Sequence, residues 1–157
     1  MPATMTTTED NKALVRRFID EIFLKGKPEA VEELLADDFV PHNWGKTGTG
    51  KRAMADAIKR ASAGLSDARM TIEDVIAEGD KVAVRLTSHA VQSGPFMGLP
   101  PSGKPYTIEE IHIFRIKDGK VAEHWHQGDF MGMMTQLGAV PGQTPEQSRP
   151  GGSGAHA

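Results

Sequence analysis

The chain has 157 residues, a formal net charge of −3 and no cysteine, which suits one domain with its own hydrophobic core and excludes thiol catalysis, disulfides and cysteine-ligated metals. Because no basic tract is present, nucleic acid is not an expected partner. No apolar run approaches the roughly 18 residues of a membrane span, and the first residues lack the features of a signal peptide, so we expect a cytoplasmic protein with no membrane contact.

The first part of the chain is predicted to be helical. A threonine-rich stretch at 6–8, followed by two acids, begins a first helix, and apolar residues at helical spacing continue it as far as Gly26. Pro28 opens a second, short helix, and residues 51–63 form a third. An extended piece over residues 37–42 separates the last two helices.

The second part of the chain is predicted to form strands. Residues 68–77 and 81–92 make one hairpin, and residues 106–116 and 121–127 make another. A short terminal helix is expected over 130–137. Helices followed by antiparallel strands indicate an α+β domain with three N-terminal helices.

The ends of the chain are predicted to lie outside that domain. We expect a flexible N-terminus over residues 1–8 and a domain over residues 9–140. Residues 141–157 are rich in proline, glycine, serine and glutamine, a composition typical of disordered tails.

Ionisable side chains concentrate in the second hairpin. Glu110 and His112 lie on its first strand, and His124 and His126 lie on its second. A three-residue loop closed by Gly119 in the left-handed region would pair His112 with His124 and Glu110 with His126. All four side chains would then share one face of the sheet. We predict this loop and this register.

Two alternatives oppose that prediction. A two-residue Asp-Gly turn would shift the register by one residue and move both histidines of the second strand to the opposite face. In the second alternative, simple alternation buries the opposite face in the core and leaves the ionisable groups exposed to water. That opposite face carries Ile111, Ile113 and Trp125. However, Phe114 and Ile116 share the ionisable face, so we expect a sheet covered on both sides with a polar-lined cavity on one.

Five segments of the chain, taken in this order, carry a family resemblance. Together they cover about residues 10 to 140 and resemble the SnoaL-like polyketide cyclases, within the nuclear-transport-factor-2-like superfamily. The resemblance implies a cone-shaped α+β barrel, in which a curved antiparallel sheet wraps around the helices and leaves a deep pocket, and it implies a homodimer. The segments are 11–26, 30–42 (AVEELLADDFVPH), 70–84 (MTIEDVIAEGDKVAV), 96–104 (FMGLPPSGK) and 111–129 (IHIFRIKDGKVAEHWHQGD).

The resemblance also implies catalytic residues. In the cyclases an acidic residue directly after a His-Trp pair acts as the acid/base in an intramolecular aldol closure, and a histidine assists it. In this chain those positions hold His126 and His112, with Glu110 beside them, and the nearest aspartate is Asp129. The three predicted catalytic residues are therefore His126, His112 and Glu110. The alternative is a structural Glu-His hydrogen bond in a closed core.

Further residues are predicted to bind the substrate. His42 ends a stretch that reaches the pocket wall in this family, and His124 shares the face of the catalytic residues. Aromatic and aliphatic side chains are predicted to line an apolar cavity suited to a flat hydrophobic compound, whereas His89 is interpreted as structural or exposed. The predicted substrate-binding residues are His42, Trp44, Phe96, Met97, Leu99, Phe114 and His124.

Three functions compete at this point. The leading hypothesis is cofactor-independent acid/base chemistry, by cyclisation, isomerisation or dehydration, on a small hydrophobic carbonyl compound. The second is a non-catalytic protein that binds a hydrophobic ligand. The third is a metal site built from His112, His124 and His126 with Glu110, which we disfavour because a strand pair rarely aims three rings at one point. We therefore expect neither a metal nor a cofactor.

Overall fold

A computed structural model describes residues 6–42 and 50–139. Helix α1 (Thr8–Phe18) begins with a capping box between Thr7 and Asp10, as the acids after the threonines predict. It continues as a π-helical turn over Ile19–Leu24. The left-handed Gly26, at φ 58°, lies just beyond this turn, where the sequence ends the helix.

Residues 6–42 and 50–139 contain three further α-helices. They are α2 (Pro28–Leu34), α3 (Gly50–Gly64) and α4 (Phe130–Gln136). Within the described ranges, no helix combines the length and apolar character needed to cross a membrane. The predicted C-terminal tail and most of the predicted flexible N-terminus lie outside those ranges, although α1 begins one residue before the predicted domain boundary.

Among the described residues, five strands form one sheet in the order β1-β5-β4-β3-β2. Strand β1 pairs with β5 in parallel, and the other three pairings are antiparallel. The sheet is therefore mixed, which corrects the prediction of a purely antiparallel sheet. The local pattern of β1 shows an extended segment, but its pairing partner lies some eighty residues away and leaves no local signal. The strands are β1 (Leu35–Pro41), β2 (Leu65–Glu78), β3 (Lys81–Gln92), β4 (Pro105–Lys117) and β5 (Lys120–Gly128).

The register of the β4–β5 hairpin differs from the prediction. Asp118 and Gly119 both have positive φ, at 53° and 72°, and form a two-residue turn between the paired Lys117 and Lys120. A β-bulge at Ala122 then inserts one extra residue into β5, and the register shifts there. The bulge moves the register by one further residue and thereby returns His124 and His126 to the face of His112.

The histidines consequently keep the predicted face but not the predicted partners. His112 lies opposite His126 rather than His124, and Glu110 lies opposite Gly128 rather than His126. His124 lies opposite Phe114 instead. Because the extra residue returns the even-numbered side chains of β5 to the face of the even-numbered side chains of β4, the ionisable groups of both strands remain on one face.

The face with the ionisable groups is the inner face of the sheet. Even-numbered residues of β4 are buried or nearly so, whereas Ile111 and Ile113 on the odd face are 52% and 38% exposed. Helices α1 to α3 pack on the inner face, so that Phe18 and Phe114 meet with ring centroids 5.0 Å apart. The alternative in which the face with Ile111 and Ile113 is buried in the core of the chain is therefore wrong.

Candidate functional site

A cavity of about 520 Å³ lies between the helices and the inner face of the sheet. The π-helical turn and α3 form one wall, strands β2 to β5 form the other, and α4 closes one end. Most of the lining side chains are apolar. They include Phe23, Met54, Ile58, Ile108, Phe130 and Met133.

Polar side chains reach the cavity from three neighbouring strands. Tyr106, Glu110 and His112 alternate along β4, Ser88 comes from β3, and His126 comes from β5. Side chains two residues apart on a strand point to the same face, so the even numbering of β4 brings its three polar groups to one wall. A carboxylate, imidazoles and hydroxyls therefore meet against an apolar background.

His112 lies at the centre of this polar group. Its Nδ1 atom lies 2.8 Å from Nε2 of His124. The two ring centroids are 5.1 Å apart and the planes differ by 14°, so the rings lie edge to edge along the hydrogen bond. Its other nitrogen, Nε2, has no hydrogen-bond partner among the described residues and lies 4.0 Å from Oε2 of Glu110.

Burial controls the charge states of the neighbouring groups. Desolvation lowers the pKa of His124 well below its ordinary value, and His112 and His126 nearby add to the effect. Desolvation also lowers the pKa of His126, partly opposed by Glu110. Burial, and secondarily Glu110, raises the pKa of Tyr106 to about 12. Near neutral pH, His124 and His126 are therefore neutral, and the Tyr106 hydroxyl keeps its proton.

The end of β5 is shaped to accommodate Glu110. Gly128 lies opposite Glu110, and a Cβ atom at this glycine would approach Cγ of Glu110 to 3.0 Å and the Phe130 ring to 3.1 Å. Asp129, the nearest aspartate to the cyclase acid position, caps α4 by accepting a hydrogen bond from the Gly132 N–H. Its carboxylate is thus engaged in helix capping.

Five of the predicted site residues line the cavity. They are Glu110, His112, His126, Phe96 and Met97. The two hairpin strands contribute the first three, and the excursion between β3 and β4 contributes the last two.

The other predicted binding residues that the structure describes do not line the cavity. His124 and Phe114 are fully buried beneath the cavity wall, and Leu99 packs against Phe96 and the cluster around α4. His42 lies on the outer face of the sheet, where it stacks on Trp125 at 4.6 Å and contacts Glu123 at 3.2 Å. These placements correct the predictions for the four residues, because side-chain type alone does not show depth in the core.

One predicted residue, Trp44, lies outside the described residues. Conversely, three residues that were not predicted to line the cavity do line it, namely Tyr106, Ser88 and Phe23. The even numbering of Tyr106, shared with Glu110 and His112, is a signal that could have identified it. His89 also reaches the cavity and lies 3.0 Å from the Thr107 hydroxyl, rather than being simply exposed.

The described residues offer no evident metal site. Among residues 6–42 and 50–139, no group of three or more histidine, aspartate or glutamate side chains has an arrangement that could hold a metal ion.

Comparison with known proteins identifies similar chains. Residues 13–137 match the sequence profile of SnoaL-like polyketide cyclases. The chain is 31% identical over 144 residues to the aklanonic acid methyl ester cyclase DauD of Streptomyces sp. (strain C5), an alignment that covers 87% of this chain and 86% of that one. It is 29% identical over 119 residues to the nogalonic acid methyl ester cyclase of Streptomyces nogalater, with coverage of 74% and 89%.

The fold is also shared with a solved structure. TsrD from Streptomyces laurentii superposes with a TM-score of 0.79 and 31% sequence identity. The superposition covers 86% of this chain and 99% of TsrD. It confirms the predicted α+β cone, although the described residues here contain a fourth helix and a parallel edge strand.

Proposed function

Because this chain belongs to the SnoaL-like polyketide cyclase family, we propose that it catalyses a cofactor-independent, aldol-type ring closure on a hydrophobic carbonyl compound of the polyketide class. The observation that carries the proposal is the joint placement of Glu110, His112 and His126 on one wall of an otherwise largely apolar cavity. An aldol closure needs a proton acceptor, a proton donor and a site that excludes water. The three side chains offer the acceptor and the donor, and the apolar lining excludes water.

The size and lining of the cavity support a polycyclic substrate. Its volume of about 520 Å³ falls within the range of roughly 300–1,000 Å³ that is common for small-molecule sites. Aromatic and methionine side chains such as Phe23, Phe96 and Met54 offer flat or adaptable contact surfaces. We therefore propose that this is a hydrophobic binding pocket.

His126 is proposed to move the proton. As a neutral imidazole it takes a proton from the carbon next to a substrate carbonyl, which forms an enolate and an imidazolium. The enolate carbon attacks a second carbonyl carbon, a C–C bond forms, and the carbonyl oxygen becomes an alkoxide. The imidazolium returns its proton to that oxygen, so His126 ends neutral. Glu110 faces the same cavity, where its carboxylate stabilises the transient imidazolium.

Turnover of aklanonic acid methyl ester, the compound for which three relatives are named, tests this proposal. We expect the wild-type protein to convert it and His126→Ala to lower turnover about 100-fold or more, because the proton acceptor is lost. His126→Asp is expected to keep part of the activity, since a carboxylate also accepts a proton. Product formation is followed by chromatography and mass spectrometry.

Gln127→Ala is the matched control, because Gln127 is the next residue of β5 and is exposed. Its turnover is expected to equal that of the wild type. A folded His126→Ala protein with unchanged turnover would remove His126 from the mechanism. Binding of the compound without any turnover by the wild type would favour the alternative of a ligand-binding protein.

We further propose that the protein works as a homodimer formed through the outer face of the sheet. Ile76, Ala83, Ile113 and Trp125 are cross-strand neighbours and form an apolar row over four strands of that face. Ile76 and Ile113 remain exposed in the single chain. Arg115 and Glu123 form an ion pair beside the row. A second copy related by a two-fold axis would cover the row with the same apolar surface.

A further inference from the structure

His124 is a buried polar side chain that the proposed reaction does not yet use. It is fully buried, and the rings of Phe18, Phe23 and Phe114 lie 6.1, 5.7 and 4.8 Å from its own ring. In this surrounding its Nε2 atom lies 2.8 Å from Nδ1 of His112. Buried polar side chains are nearly always hydrogen-bonded, and this bond connects His124 to a side chain of the cavity wall.

The hydrogen bond between the two rings allows two neutral arrangements. Either His124 donates from Nε2–H to Nδ1 of His112, or His112 donates from Nδ1–H to Nε2 of His124. In the first arrangement the proton of His112 is on Nε2, and in the second that nitrogen carries a bare lone pair. The state of His124 thus decides whether His112 offers the cavity a donor or an acceptor.

The carboxylate of Glu110 favours the first arrangement. Nε2 of His112 lies 4.0 Å from Oε2 of Glu110. A proton on this nitrogen is attracted by the carboxylate, whereas a lone pair there would face another source of negative charge. Both side chains are largely shielded from water, at 4% and 11% exposure, so the preference is only weakly screened.

We propose that His124 is a positioning residue that holds His112 in the tautomer with its proton on Nε2, directed toward Glu110 and the cavity. His112 then acts as a hydrogen-bond donor to the substrate oxygen on which negative charge develops. The edge-to-edge geometry also restrains rotation of the His112 ring, so the donor is oriented before the substrate arrives. The role of His112 as donor rests on the proposed function, but its tautomer does not.

Nuclear magnetic resonance of the wild-type protein tests the tautomer without any substrate. Long-range proton–nitrogen correlation on uniformly ¹⁵N-labelled protein at neutral pH distinguishes a protonated from an unprotonated ring nitrogen. The signals of His112 are assigned by their loss in His112→Gln. We expect protonated Nε2 and unprotonated Nδ1 for His112, and protonated Nε2 for His124. A proton on Nδ1 of His112 would overturn the proposal.

Two variants of His124 test the effect on turnover of aklanonic acid methyl ester. Gln is the matched variant, because its amide NH₂ occupies nearly the position of Nε2 and still donates to His112. Leu removes the donor and keeps an apolar side chain of similar size. We expect His124→Leu to lower kcat about 10-fold or more with KM changed less than about 2-fold, and His124→Gln to recover most of kcat.

The outcomes separate this proposal from the proposed function. Equal kcat for wild type and a folded His124→Leu would contradict the positioning role, and so would a His124→Gln variant that recovers none of the kcat lost in His124→Leu. If His124→Leu does not fold, the wild-type spectrum and the Gln variant still decide. If the wild type fails to convert the compound, the proposed function fails, while the spectrum still establishes or refutes the tautomer.

Discussion

At the scale of single residues, His126 is the position at which this chain departs from the cyclase pattern. The cyclases carry an acid directly after the His-Trp pair, and here an imidazole reaches the cavity from that position. Its surroundings are largely apolar, so burial lowers its pKa. A neutral imidazole remains a proton acceptor at neutral pH, which preserves the role proposed for the carboxylate it replaces.

The lowered pKa of His126 predicts the shape of the pH profile. A base acts only when deprotonated, so kcat/KM should fall as pH decreases through the pKa of His126. Because that pKa is lowered, the fall should centre below the ordinary histidine value of about 6.5. Steady-state rates with aklanonic acid methyl ester between about pH 5 and pH 8 give the profile. Gln127→Ala should reproduce it, and a fall centred above about 6.5 would count against His126 as the base.

At the scale of elements, two irregularities of the β4–β5 hairpin together place its histidines on the inner face of the sheet. The two-residue turn at Asp118 and Gly119 would by itself place the histidines of β5 on the outer face. The bulge at Ala122 inserts one residue and reverses that outcome. Val121 and Ala122 are consecutive in sequence and both buried, which breaks the alternation expected of a regular strand.

The turn predicts a measurable cost of substitution at Gly119. This residue has φ 72°, a region in which a side chain with a branched Cβ is strained. We expect Gly119→Val to reduce the free energy of unfolding by about 1–2 kcal/mol, measured by urea denaturation. Gly119→Asn is the control and should cost less, because asparagine tolerates the left-handed region. Equal stability of wild type and Gly119→Val would show that the turn has a different conformation.

At the scale of the whole molecule, the sheet has two faces with different surroundings. The inner face holds the core and the cavity, whereas the outer face carries the row of Ile76, Ala83, Ile113 and Trp125. His42 stacks on Trp125 and extends the aromatic part of that row. An apolar row across four strands of a sheet face is a suitable surface for a second copy of the chain.

A charge in the middle of this row should separate the proposed dimer. We expect the wild type to scatter light as a dimer at micromolar concentration and Ile113→Lys to scatter as a monomer, because burial of an unpaired ammonium is costly. Met131→Lys is the matched control, since Met131 is 65% exposed on α4, away from the outer face. A wild-type monomer, or a dimer that Ile113→Lys leaves intact, would contradict the proposed interface.

Much of the architecture was predictable from local patterns. Periodicity and capping signals predicted the four α-helices that the structure describes and the boundaries of β3, because these elements depend on hydrogen bonds and apolar spacing within a few residues. The gathering of Glu110, His112 and His126 on one face was also predicted, although through an incorrect turn. Two errors, the turn length and the missing bulge, cancelled.

What the sequence by itself determined is which groups are available: histidines and a carboxylate at even positions of one hairpin, within a chain that resembles the cyclases. Only the tertiary structure decided their depth and partners. His124 and Phe114 lie beneath the cavity wall, His42 lies on the outer face, and Tyr106 joins the site. The reason is physical: alternation along a strand specifies a face, whereas burial depth, the parallel pairing of β1 and the hydrogen bond between His112 and His124 depend on contacts between distant segments.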